Sequence, residues 1–226
     1  MLRMYRAYRA GAPLGDVVVL KLDALSAAPK SIAKKLEAIH EYAPAHDLAL
    51  LRALPAGTLG REYACFLDAN GITPLVVSSA VRERFAHEPY ALRYTTTHDL
   101  HHVLAGFDTG LAGEAGVLAF NVGQGAAPVS RAMLGIARIV YSMLSPTQAR
   151  AIANNVRVGL EMGKAAELVM AAPVESWFEE PLASVRARLR IPDPREAGVL
   201  PSGRSVVAGL LYPTVRRETH STGTSA

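Results

Sequence analysis

Apolar residues along this chain recur mainly at the three- and four-residue spacing of one helical face. Between Ser31 and Tyr42, Ile32, Leu36 and Ile39 keep that spacing behind a serine suited to cap the first turn. The turn Leu54–Pro55–Ala56–Gly57–Thr58 ends in another capping residue. It opens a helix from Leu59 to Ala69, which Asn70–Gly71 should terminate in a left-handed stop. Thr73–Pro74 and Leu75–Val76–Val77 carry the one strand-like run; it is too short and isolated to build a sheet and predicts an extended link. Three helices follow, over Tyr90 to about Ala105, Gly113 to about Gly123 and Ser130 to about Leu144, with Ser130 as the cap of the third. Ser145–Pro146 restarts a helix with proline in its first turn, expected to reach about Ala171 before Pro173. Glu175 to Leu189 is the last helix predicted.

Beyond Ile191–Pro192–Asp193–Pro194 the composition turns to Pro, Gly, Ser and Thr, predicting an extended segment and, over Arg217 to Ala226, a disordered tail. No period of repeats recurs. The expected architecture is all-α: a single-domain helical bundle over residues 1–216, with its core in 12–192 and an extended C-terminal segment.

The 226 residues are 50% hydrophobic and only 19% charged, so the chain has more apolar surface to hide than an average soluble domain. Membrane spanning does not account for it. The longest stretch without Asp, Glu, Lys or Arg, Ala115 to Ser130, is 16 residues and is broken by Asn121, Gln124 and Pro128, short of the roughly 20 apolar residues a spanning helix needs. The excess therefore belongs to a core, a lipid-binding cavity or a peripheral membrane face. The net charge of +4 comes from 19 Arg and 5 Lys spread along the whole chain, not from a basic patch with interleaved aromatics, which speaks against nucleic acid and leaves anionic lipid headgroups as candidate partners. Cys65, alone and set in an apolar helical pattern with Tyr63 and Phe66, is expected to be a buried, inert thiol, in keeping with a reducing compartment. Arg3, Arg6 and Arg9 precede any acid, as in a transit peptide, but serine is absent before Ser26; the expectation is cytoplasmic, with this arginine-bearing stretch as one candidate membrane contact.

The strongest chemical signal is Thr97–His98–Asp99–Leu100–His101–His102. On a helix, His98 and His102 lie four apart and present two imidazoles to the same point, and Asp99 can swing its carboxylate in from the flank. Eleven residues then separate His102 from Glu114, among them Gly106, Gly110 and Gly113, a density that suits a reversal between antiparallel helices. Glu114 falls in the first turn of the second helix, level with the histidines. Two imidazoles and carboxylates make a divalent-metal site, so His98, Asp99, His102 and Glu114 are the candidate ligands. His101 points about 100° away and is set apart from them. His40, His46, His87 and His220 are isolated and read as surface or core residues.

His-Asp-x-x-His, eleven residues, then Glu resembles the signature of the Coq4-like family of ubiquinone (coenzyme Q) biosynthesis proteins. The likeness extends to Leu54–Tyr63, Phe66–Leu67, Asn70–Gly71 and Tyr90–Tyr94 upstream. Downstream it takes in Gly159 to Leu168, then Glu175, Trp177, Leu182, Val185, Arg186 and Leu189–Ile191, so that it covers about residues 50–192. It implies an all-α, zinc-binding protein that holds its metal through His98, Asp99, His102 and Glu114. It further implies a polyprenylated hydroxybenzoate ring as substrate and oxidative C1 decarboxylation, the ring carboxyl being replaced by hydroxyl, with other quinone biosynthesis enzymes as partners.

Zinc cannot activate an oxidant by itself, and the same ligands suit iron, manganese, cobalt or magnesium, so the metal stays open. A prenyl tail calls for a greasy channel, for which Leu111–Val122 and Met133, Leu134, Ile136, Ile139, Val140 and Met143 are candidates. Two other readings are a non-catalytic prenyl-lipid-binding scaffold and a metal-dependent phosphohydrolase. The second lacks a further His-Asp pair in the right context, since His46–Asp47 has no downstream partner set. Helices this apolar also suit a homodimer.

Overall fold

The structure, a computed structural model, describes residues 12–25, 30–36, 39, 46–86, 89–127 and 130–203. Among them are ten α-helices: α1 (Leu14–Leu25), α2 (Lys30–Leu36), α3 (Leu48–Ala53), α4 (Leu59–Asn70), α5 (Ser79–Arg84), α6 (Tyr90–Ala105), α7 (Leu111–Gly123), α8 (Arg131–Leu144), α9 (Ala149–Ala165) and α10 (Leu182–Arg188). Three 3₁₀ turns, Pro146–Gln148, Val169–Ala171 and Val174–Trp177, complete the set. No strand occurs among the described residues, and residues 72–78 are extended as expected.

Local chemistry sets several of these ends. Thr58 caps α4, its hydroxyl accepting from the Arg61 N–H, and Gly71 closes the helix in the left-handed region at φ 63°. Ser130 caps α8 by accepting from the Met133 N–H. Ser78 caps α5 while its own N–H and hydroxyl both donate to the buried Asp16 carboxylate at 2.7 Å, tying α1 to α5.

Other boundaries differ from the pattern-based expectation. Ser31 lies one position inside α2 instead of capping it, and residues 37–38 and 40–45 lie outside the described set. The helix expected over 145–171 ends at Ala165, because Ala166 turns extended and the Glu167 N–H donates to the Leu189 carbonyl instead of continuing the ladder. The helix expected over 175–189 is split. Pro181 has no N–H to give and forces Glu180 out of helical geometry, and the freed carbonyls of Phe178 and Glu180 accept the orphan N–H groups of Gly60 and Leu59 at the start of α4, both at 2.9 Å.

Cys65 is exposed, not buried. The face of α4 that turns inward is set by Tyr63, Ala64 and Leu67, and Cys65 stands about 100° off it. Arg3, Arg6, Arg9, His40, His87, His220 and the expected tail 217–226 lie outside the described residues.

The main core gathers Tyr63 and Leu67 of α4, Leu100 and Leu104 of α6, Val117 and Phe120 of α7, and Val158 and Met162 of α9. Its tightest seam joins α7 to α9. A methyl group on Gly159 would overlap the Gly116 carbonyl, one on Gly163 would overlap that of Phe120, and one on Gly123 would sit 2.6 Å from the Leu160 oxygen. The two backbones touch here because no side chain stands between them. Asn155 of α9 bonds across the seam to the Ala112 carbonyl at 3.1 Å and holds both the N–H and the carbonyl of Leu200. Residues 191–203 are thereby laid over the helices, extended at both ends but turned over 194–198, where the Ala197 N–H reaches the Asp193 carbonyl.

A second anchor is Arg93, fully buried on α6. Its Nε donates to the Met170 carbonyl at 2.9 Å, Nη2 to the Ala172 carbonyl at 2.9 Å, and Nη1 to Glu175 Oε1 at 2.5 Å. A buried guanidinium is tolerable only when its donors are matched in this way.

Replacing Gly163 by Val is expected to lower stability by about 1–3 kcal/mol through backbone overlap, whereas Gly135→Ala on the open side of α8, where an added methyl meets nothing, should raise it by up to about 1 kcal/mol. Arg93→Leu, which strands Glu175, should cost about 3–5 kcal/mol. Thermal and denaturant unfolding read all three.

Candidate metal centre

The site forms where α6 reverses into α7. Gly106, at φ 72°, ends α6 with its N–H on the His102 carbonyl, and Pro194 covers the spot a side chain would need. Asp108 then organises the loop: its carboxylate accepts from the Gly110 N–H at 3.0 Å and the Ser202 N–H at 2.7 Å, and pairs with the Ser202 hydroxyl. That hydroxyl in turn accepts from the Gly113 N–H at 3.0 Å. Helix α7 thus begins at Leu111, two residues earlier than the glycine pattern predicted, and Glu114 sits in its first turn.

His98, His102 and Glu114 come together, each offering one ligand atom and all of these within 4.8 Å of one another. His102 Nε2 lies 3.4 Å from Glu114 Oε1, and His98 Nε2 lies 3.8 Å from Oε2. The two imidazole centroids are 5.0 Å apart. Asp99 is not in this triad. Its carboxylate stands 3.6 Å from His98 Nδ1, behind the ring, where it orients the imidazole and leaves Nε2 turned to Glu114. Asp99 is about 100° from His98 and 60° from His102 round the helix, and its carboxylate is placed at the Nδ1 side of His98 and not at the Nε2 side that meets Glu114.

His102 is held in the same manner. Its Nδ1 is 3.1 Å from the Phe107 carbonyl in the reversal loop, which assigns the proton to Nδ1 and leaves Nε2 free to ligate. Phe66 of α4 stacks on the ring at 5.5 Å. His102 is buried, whereas His98 keeps 31% of its side-chain surface, so the site opens on the His98 side. Burial pulls the His98 pKa down, but Asp99 and Glu114 outweigh it and the net shift is upward. Burial, with the Glu114 charge added, also raises the Tyr94 and Tyr141 phenols and keeps both protonated beside the site.

His101 stands apart, as its helical position predicted. It is buried edge-on to Phe120 at 5.9 Å, its ring nitrogens make no well-formed hydrogen bond among the described residues, and burial next to His98 and His102 lowers its pKa to about 3. It is a neutral core residue. His46 packs edge-on to Phe178 at 5.1 Å, away from the cluster. Thr95, Thr96 and Thr97 turn their hydroxyls back to carbonyls of their own helix.

Within Leu111–Val122 every residue but Glu114 and Leu118 is buried. Of the α8 residues proposed to line a channel, only Leu134 is buried, and the others face outward. Sequence reading missed Asp108, and it took in Arg93, within Tyr90–Tyr94, and Arg186 only as part of the family likeness, without the role of either; Arg186 donates to the Leu104 and Val103 carbonyls at the end of α6 at 2.9 and 3.0 Å. Paired Asp and Gly in the reversal loop was the one signal that pointed at Asp108; a lone buried arginine has none. No helix among the described residues is long and apolar enough to cross a membrane.

Residues 30–195 match the sequence profile of the family described as coenzyme Q (ubiquinone) biosynthesis protein Coq4. Among curated proteins, the chain is 31% identical over 158 residues to the mitochondrial ubiquinone biosynthesis protein COQ4 homolog of Rattus norvegicus, covering 66% of this chain and 56% of that one. With the Danio rerio homolog it shares 34% over 154 residues, covering 66% and 54%. The chain spans about half the length of these relatives. A crystal structure from Nostoc punctiforme, provisionally assigned to ubiquinone biosynthesis, superposes with a TM-score of 0.57 at 27% identity, covering 77% of this chain and 81% of that one. The profile takes in the whole site, from the α4 residue that stacks on His102 to the Pro194 that covers Gly106, and the chain belongs to the Coq4 family of coenzyme Q (ubiquinone) biosynthesis proteins.

Proposed function

We propose that this protein is a metal-dependent enzyme of ubiquinone biosynthesis that carries out oxidative C1 decarboxylation of a polyprenylated hydroxybenzoate ring. The observation that carries this reading is the convergence of His98 Nε2, His102 Nε2 and the Glu114 carboxylate on one part-exposed point. Two imidazoles and one carboxylate fit a divalent ion of the iron, manganese, cobalt or zinc group, and the donor set passes the chemical test for such a group. Three protein donors leave coordination positions open, the mark of a catalytic and not a structural site. When bound, the ion supplies Lewis-acid stabilisation of negative charge on a ring carboxylate or phenolate.

The chain's own residues supply the rest. Asp99 and the Phe107 carbonyl fix the two imidazoles with Nε2 inward, so that little reorganisation is needed when charge develops. Phe66 stacks on the His102 ring, and Tyr94 and Tyr141 remain neutral phenols near Glu114. In the overall change, the carboxyl carbon leaves as CO₂ and a hydroxyl takes its place at the ring. The substrate as a whole gives up two electrons, one each by formal count from the ring carbon and the carboxyl carbon; an external oxidant such as dioxygen must accept them, and the hydroxyl oxygen comes from that oxidant or from water. Other quinone biosynthesis enzymes at the inner, cytoplasmic face of a membrane are the partners this chemistry implies.

Elemental mass spectrometry of the purified, metal-reconstituted protein is expected to find near-stoichiometric divalent metal in the wild type and in His101→Leu, and none in His98→Ala, His102→Ala or Glu114→Ala. Asp99→Asn should retain the site but weaken metal affinity by about 10–100-fold, as loss of an orienting partner does; loss as complete as in His98→Ala would make Asp99 a ligand. Incubating the loaded protein with a polyprenyl-hydroxybenzoate under air and following the ring by mass spectrometry tests the reaction. Exchange of carboxyl for hydroxyl, abolished in Glu114→Gln, is expected, whereas lipid binding without turnover would identify a scaffold.

A further inference from the structure

Two tyrosines from different helices stand beside the candidate metal centre. Tyr94 is on α6, one turn before His98 and two before His102, so the three side chains share one face of the helix. His102 is buried at one end of that row, while His98 and Tyr94 are only part-buried, which sets Tyr94 on the open side of the centre. Its ring packs against the apolar clusters of α1 and α2 and lies 5.9 Å from the Tyr90 ring. Tyr141 comes from α8, its ring packed with Ala112, Ala115 and Ile152, and Ala112 and Ala115 stand on either side of Glu114 in the first turns of α7.

Packing holds both rings, but nothing among the described residues holds their hydroxyls. Both phenols feel the Glu114 charge, and Tyr94 also feels Tyr141, yet neither forms a hydrogen bond to Glu114 or to any other described group. Tyr90, one turn earlier on α6, shows the ordinary arrangement: its hydroxyl donates to the Ala126 carbonyl at 2.6 Å. A tyrosine that buries its ring usually finds a partner for its O–H. Two unmatched donors around one metal-binding carboxylate are suited to an acceptor that arrives with the ligand.

We infer that Tyr94 and Tyr141 are the residues that recognise the substrate ring, their hydroxyls donating to its carboxylate or phenolate oxygen as that oxygen reaches the metal. Such an oxygen has lone pairs enough to accept a hydrogen bond and meet an ion together. Burial above all, with the Glu114 charge added, keeps the phenols protonated, so they serve as donors and do not compete with the ligand for the metal. The ligand class that follows is an aromatic acid or phenol; an unsubstituted hydrocarbon ring offers the pair nothing. This assignment rests on the proposed function for its substrate, but on binding alone and not on turnover.

Calorimetric titration of the full chain, metal-reconstituted and kept under argon so that no oxidant is present, tests the inference. Wild type is expected to bind a prenylated para-hydroxybenzoate more tightly than a benzene ring that carries the same prenyl chain and no oxygen. Tyr94→Phe and Tyr141→Phe keep the packed ring and remove only the donor. Each should weaken the acid about tenfold and leave the oxygen-free ligand, the metal content and the circular dichroism unchanged. With analogues lacking only the carboxyl or only the hydroxyl, each variant's loss should vanish together with the oxygen its tyrosine held. The inference is overturned if both variants bind the acid as wild type does, or if they lose the oxygen-free ring to the same extent, which is a packing effect. Binding without decarboxylation in air would fail the proposed reaction and leave this inference standing. A wild type that cannot tell the acid from the oxygen-free ring would sink both.

Discussion

The contact on which the structure depends is the one between the backbones of α7 and α9. Gly123 on one helix and Gly159 and Gly163 on the other lack Cβ atoms at the contact, which brings the carbonyl oxygens of Gly116, Phe120 and Leu160 against the backbone of the neighbouring helix. Such an approach maximises dispersion contact along the seam and sets the height and rotation of α7 with little freedom to slide. Glu114 is carried on the first turn of that helix. Its distance from His102 is therefore a property of the packing of α7, not of its own side-chain torsions alone.

The reversal loop between α6 and α7 does two things with one stretch of backbone. It returns the chain so that Glu114 faces the histidines, and it presents the Phe107 carbonyl to His102 Nδ1. Asp108 holds the loop from inside through the Gly110 N–H, and from outside through Ser202 in the C-terminal segment. Arg186 and Arg93 bind the two ends of α6 to the same C-terminal third of the chain. Ligand orientation and helix packing are thus coupled: a change that loosens residues 191–203 loosens the loop, and with it the tautomer of His102.

Burial divides the three histidines of the motif. His102 is desolvated but has a carbonyl partner, His98 is part-exposed with two carboxylates near it, and His101 is enclosed against Phe120. The first two are arranged to hold a cation and the third to stay neutral. That division follows from position on α6 alone, because a step of 100° per residue sends His101 to the Phe120 side of the helix and His98 and His102 to the Glu114 side.

Much of this was legible in the chain itself. Helix α6 and the ends of α4 and α8 follow from caps and periodicity, and the His98–His102–Glu114 group from the four-residue step and an eleven-residue return. These are local rules that act within one or two turns. What local rules could not reach was decided by tertiary contact. Pro181 broke a helix whose carbonyls were then claimed by α4, Ala166 left the α9 ladder for Leu189, and Asp99 came to stand at His98 Nδ1, outside the group formed by His98, His102 and Glu114. The apolar residues of α8 carried the same periodicity as any core helix, and only the packing left all but Leu134 of them facing outward. Periodicity tells a helix which residues share a face; what that face meets depends on elements distant in sequence, and no spacing along one chain encodes it.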